Sequence, residues 1–100
     1  MNSKKAELII ASKLTLNSGL VQEIRIWKSI DSEKYPEGFR YRLVIANPRS
    51  GKVLLLYDNH WPKGHHIHTG KAEFPYRFIS LERLLKDFFR QVQRIERHEK

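Results

Sequence analysis

A chain of 100 residues and 11.9 kDa has room for one compact domain, near the lower end of the sizes at which a single hydrophobic core suffices. With 40% hydrophobic and 30% charged residues it reads as globular, and the absence of cysteine excludes disulfides, thiolate metal sites and cysteine nucleophiles. Lysine and arginine outnumber aspartate and glutamate by 19 to 11, and the net charge of +8 points to a polyanionic partner, nucleic acid first, or to an acidic protein.

The longest apolar runs, residues 8–11 and 53–57, fall far short of a membrane span. The charged segment 1–5 precedes an apolar stretch too short and too interrupted for a signal peptide. No segment opposes a Lys/Arg face to a Trp/Phe face, as a membrane-surface helix would. No repeat or Pro/Gly/Ser linker divides the chain. The expectation is one cytoplasmic domain over residues 1–100, with no membrane contact.

In chain order, residues 6–16 read as a strand, with Leu8, Ile10, Leu14 and Leu16 on one parity and Glu7 and Lys13 on the other. Asn17-Ser18-Gly19 signals a turn, and residues 20–30 follow as a β-branched second strand whose Ile24, Ile26 and Ile30 oppose Glu23, Arg25 and Trp27. Residues 31–38 have loop composition. A third strand, about 39–46, alternates Tyr41, Leu43 and Ile45 with Arg40, Arg42 and Val44, and residues 47–51 turn into a fourth at 52–58. That fourth strand is almost wholly apolar, as expected of a central strand covered on both faces. After an irregular stretch at 59–71, a short fifth strand at 73–79 carries Phe74, Tyr76 and Phe78.

Ser80 is a good N-cap and Glu82 complements the dipole of a following helix at about 81–97. Its Leu81, Leu84, Leu85, Phe88, Val92 and Ile95 recur at spacings of three and four, forming one apolar stripe. The predicted architecture is α+β: an antiparallel meander of about five strands with one C-terminal helix packed on one face. Exposed strand edges make a homodimer a further expectation.

The chemistry concentrates in Tyr57-Asp58-Asn59-His60-Trp61-Pro62-Lys63-Gly64-His65-His66-Ile67-His68, which holds four of the five histidines. Three readings stand. In the first, imidazoles act as general acid and base, since their ordinary pKa of about 6.5 lets them take and give protons at neutral pH. RNA cleavage needs a base for the 2′-hydroxyl, an acid for the leaving 5′-oxygen and a cation near the phosphate; His66, His68, Asp58 and Lys63 offer these groups. In an extended stretch His66 and His68 share a face. In the second reading His66 and His68 with Asp58 ligate a metal, at a spacing that matches no tight zinc template. In the third the histidines are solvated or bond the backbone of an irregular connection. Pro62-Lys63-Gly64 likewise reads equally as a phosphate contact or an ordinary turn.

Trp61 suits base stacking, whereas Trp27 reads as a sheet-packing residue. Arg40, Arg42, Arg77, Arg90 and Arg94 would track phosphates if the helix and sheet edges align. No Walker A loop, Gly-x-Gly-x-x-Gly or Ser-His-Asp order is present, and no cofactor is expected.

Tyr57-Asp58-Asn59, Lys63-Gly64-x-His66-x-His68, Pro75-Tyr76-x-Phe78 and Leu84/Leu85-x-Asp87-Phe88, in this order, resemble the TumE-type toxins of bacterial toxin–antitoxin pairs. The likeness spans residues 6–95, and the Tyr-Asp-Asn to His-x-His run is its specific part. His60, His65 and the 31–38 loop depart from the pattern. The resemblance implies a small toxin neutralised by a helix-turn-helix antitoxin encoded beside it. It favours Asp58, Asn59, Lys63, His66 and His68 over His60, His65 and His98. The combined expectation is a metal-independent endoribonuclease, with Asn59, Trp61, Arg40, Arg42 and Arg77 at the RNA; the alternative is a non-catalytic module that binds nucleic acid or antitoxin.

Overall fold

The computed structural model describes residues 6–98, so the charged segment 1–5 lies outside it. Six strands run β1 (Ala6–Thr15), β2 (Val21–Ser29), β3 (Phe39–Asn47), β4 (Lys52–Asp58), β5 (His66–Thr69) and β6 (Ala72–Pro75), followed by one helix, α1 (Leu81–His98). They form a single antiparallel sheet in the order β1-β2-β3-β4-β5-β6, an α+β meander as the hydrophobic patterning anticipates. Among the described residues no helix is long and apolar enough to cross a membrane.

Alternation along the strands produces two unlike faces. On one, Ile24, Ile26, Tyr41, Leu43, Ile45, Leu55 and Tyr57 pack beneath Leu84, Phe88 and Val92 of α1, and all are buried. The Tyr57 ring meets Phe88 edge-on at 5.5 Å and its hydroxyl donates to Gln91. Burial pushes the Tyr57 phenol up to about 12, so it stays protonated and serves as a donor. The helix begins where Ser80 Oγ accepts the Arg83 N–H at 3.1 Å, as its N-cap position predicts.

Four local expectations are corrected. Between Leu8 and Ile10 the β1–β2 register slips, so Leu8 lies opposite Trp27 while Ile10 lies opposite Ile26. One extra residue in a strand moves the following side chains to the other face, which breaks the simple parity. β4 is covered on one side only: Val53 on the other side is 45% exposed. Its apolar run includes Leu54, inserted as a bulge between the residues paired with Ile45 and Ala46. The histidine stretch, expected to be irregular, supplies β5. It returns through Gly70-Lys71 into β6, with Gly70 at φ +60° giving the positive dihedral a two-residue hairpin needs. β6 stops at Pro75 rather than running to residue 79, since proline offers no N–H to continue a ladder.

Candidate functional site

The helix-free face of the sheet carries the polar chemistry. Strand register lays Arg25, Arg42, Asp58 and His66 across β2 to β5 in one row. The adjacent row runs Glu23, Val44, Leu56, His68 and Glu73 from β2 to β6. His66 and His68 therefore share this face, as the period-two argument requires, with ring centroids 4.8 Å apart and planes nearly perpendicular. Lys63 reaches in from the β4–β5 connection, its Nζ 2.5 Å from Glu73 Oε2. Glu73 Oε2 also lies 3.8 Å from His68 Nε2. The Lys63 ammonium holds the Glu73 carboxyl below the usual carboxylate range, and both histidines add to the effect.

One hydrogen bond orients His66. Its Nδ1 is 2.7 Å from the Gly64 carbonyl, and a carbonyl only accepts, so Nδ1 carries the proton. In the neutral ring Nε2 then holds the lone pair, the form a general base or a metal ligand needs. Gly64 sits at φ +81°, a region L side chains rarely adopt, and a glycine is suited to this turn. The bond that orients His66 thus comes from Gly64 and not from Asp58. Asp58 Oδ1 accepts the His60 backbone N–H at 2.7 Å, and its carboxylate stands opposite His66 in the ladder. His66 is only 8% exposed, while His68 and Lys63 are more open.

The remaining sequence candidates divide clearly. Asn59, expected at the nucleic-acid surface, is 3% exposed and is consumed by β3: it accepts the Tyr41 N–H and donates to the Phe39 carbonyl, each at 2.8 Å. A short amide at the end of β4 meets the free backbone groups of its neighbour there. Trp61 is 46% exposed, with Lys34 Nζ 4.9 Å from its ring centre and Tyr35 Oη bonded to its N–H. Arg40 lies over the Trp27 ring at 4.6 Å, opposite it on the helix-free face. Arg42 is exposed within the first polar row; Arg77 is exposed in the connection after β6. His65 belongs to a different arrangement, stacked 5.1 Å from Phe78. Its Nε2 donates to Glu37 at 3.1 Å, and Tyr41 Oη donates to its Nδ1 at 2.8 Å. This ring ties the 31–38 loop to β3.

Sequence reasoning missed Glu73, whose role depends on a hairpin that pairs it with His68. It missed Gly64 because a backbone carbonyl has no side-chain signature. The site thus comprises two imidazoles, one with a fixed tautomer, an exposed cation held by a carboxylate, and flanking arginines. It can move protons and receive an anionic oxygen. His66, His68 and Glu73 are also the described residues whose ligand atoms cluster within 4.8 Å of one another; Asp58 is not in that cluster. The family described as Toxin TumE matches residues 2–96. No curated protein and no solved structure gives a significant match.

Proposed function

Since the chain belongs to the TumE toxin family, and so is the toxin of a toxin–antitoxin system, we propose that it arrests its host by cleaving RNA on the helix-free face of the sheet. The observation that carries this reading is the His66 tautomer: Gly64 holds Nδ1–H, leaving Nε2 as a base 4.8 Å (ring to ring) from a second imidazole. His66 Nε2 takes the proton of a 2′-hydroxyl, whose oxygen attacks the adjacent phosphorus. The phosphorus–5′-oxygen bond breaks, and protonated His68 gives its proton to the departing 5′-oxygen. The products are a 2′,3′-cyclic phosphate and a 5′-hydroxyl, with no metal consumed or required. Lys63, leaving Glu73 for the phosphate, stabilises the charge that builds on its free oxygens. Arg42 and Arg40 hold the flanking phosphates, and Trp61 stacks on a base.

RNA incubated with the protein in EDTA is expected to yield cyclic-phosphate ends, and His66→Ala and His68→Ala are expected to lower the rate by about 10²–10⁴-fold each. Equal cleavage by the three proteins would end the proposal.

A second reading, binding without turnover, is favoured by the exposed cationic and aromatic groups outside the histidine pair. The same face then engages RNA, or the antitoxin that a toxin of this family has as its partner. Affinity for single-stranded RNA would fall by about 0.7 log units per phosphate contact for each log unit of salt. Expression distinguishes the two: growth arrest that survives both histidine substitutions supports binding alone.

A further inference from the structure

The hairpin β5–β6 does something the proton-transfer reading does not use. It gathers two imidazoles and a carboxylate, each offering one ligand atom, within 4.8 Å of one another. We propose that His66, His68 and Glu73 bind one divalent transition-metal ion of the zinc class, and that the ion shuts the site down.

The donor set selects the class. Two neutral imidazole nitrogens and one carboxylate oxygen suit Zn²⁺, Co²⁺ or Ni²⁺ and disfavour Mg²⁺ or Ca²⁺, which prefer oxygen ligands. Bonds of about 2.0–2.1 Å place tetrahedral ligand atoms about 3.4 Å apart, so the widest separation in the cluster must shrink by up to about 1.4 Å. The side chains that move are the ones free to do so: His68 and Glu73 are about one-third exposed, while His66 is fixed. His66 is held in the manner typical of a metal-binding histidine, one ring nitrogen, Nδ1, donating to a backbone carbonyl and leaving Nε2 with the free lone pair. A fourth position remains for water.

Lys63 is the competitor. Its ammonium occupies the Glu73 carboxylate in this structure and must leave when a dication arrives. The ion would replace one positive charge beside Glu73 with two, and it would take the His66 and His68 lone pairs. Proton transfer through those rings then stops. Binding itself is independent of the RNA reading; only this inhibition rests on it.

Isothermal titration of the untagged, EDTA-stripped protein with ZnCl₂, followed by Co²⁺ spectroscopy, tests the site. One equivalent is expected to bind, with a four-coordinate cobalt absorption band. His68→Ala and Glu73→Gln, both at half-open positions whose folding circular dichroism verifies, are expected to weaken Zn²⁺ by about tenfold or more. Lys63→Met is expected to tighten it by about two- to fivefold, because it removes the competing ion pair. Zn²⁺ affinity unchanged by both His68→Ala and Glu73→Gln, or no stoichiometric binding, overturns the site. With RNA present, Zn²⁺ should suppress cleavage and EDTA restore it. Zn²⁺ that binds with the predicted variant pattern but leaves cleavage unaffected overturns the inhibition. Cleavage that requires Zn²⁺ overturns both the inhibition and the metal-independent chemistry, leaving binding established.

Discussion

The two faces of the sheet are built by alternating residues of the same strands, yet they obey different rules. Under α1 the row from Ile24 through Leu43 to Tyr57 is apolar but for a hydroxyl that meets its partner, and the next row adds the buried amide of Gln22 beside Ile45. On the opposite side every row that crosses β5 meets a histidine, and the ion pairs there stay partly exposed. Burial of apolar area sets the stability of the first face. The second holds charge where its side chains stay exposed, at Arg42, Lys63 and Glu73. A sheet with one covered side can therefore place reactive groups on rigid strands with little loss to its core.

The sharpest way to break this contrast is a pair of substitutions, one on each face. Phe88 is fully buried and touches Tyr57, so Phe88→Ala is expected to cost about 3–5 kcal/mol, a large share of what a domain of this size has. His68→Gln, on the open side, should change unfolding stability by no more than about 0.5 kcal/mol. Urea denaturation measures both. Comparable losses at the two positions would mean that the histidine face is packed against something and is no open surface.

This asymmetry explains what the sequence makes legible. The helix stripe and the alternation in β2 and β3 are strong periodic signals with one physical cause, a single buried side, and both elements stand where the pattern puts them. β1 and β4 mislead because a bulge shifts parity at Ile9 and another inserts Leu54. Hydrophobicity alone carries no mark of such a shift. At the site, the shared face of His66 and His68 follows from a spacing of two and was readable. The Glu73 partnership was not, since it depends on which residues flank the Gly70-Lys71 turn. Asn59 was misread for a related reason: its place in a motif suggested recognition, whereas its two bonds to β3 are visible only in three dimensions.

Asn59 offers the next test, at the margin between the faces. Asn59→Ala leaves a buried N–H and a carbonyl of β3 without their partner, which is expected to cost about 2 kcal/mol. If its role is to clamp the strand, the loss of toxin activity will track the unfolded fraction and recover at low temperature in stabilising osmolyte. A variant as stable as the parent but inactive would return Asn59 to the surface chemistry and would blur the line between structural and reactive residues.

The smallest effect is expected where α1 meets the segment after β6. Tyr76 Oη donates to Asp87 Oδ2 at 2.7 Å, and Arg83 Nε donates to Oδ1 at 3.0 Å. Partial burial pushes the Asp87 carboxyl up, but these two hydrogen bonds and the nearby Arg83 and Arg90 charges outweigh it and hold it below its ordinary value. A carboxyl depressed in the folded state stabilises fully above its unfolded pKa of about 4, and the contribution drains away as pH falls through the folded value. Asp87→Asn should therefore cost about 1 kcal/mol at neutral pH. The gap between parent and variant should close as urea midpoints are measured toward about pH 2. A gap that persists unchanged in acid would mean that Asp87 acts through hydrogen bonds an amide cannot reproduce, and that its charge does no structural work on that side of the sheet.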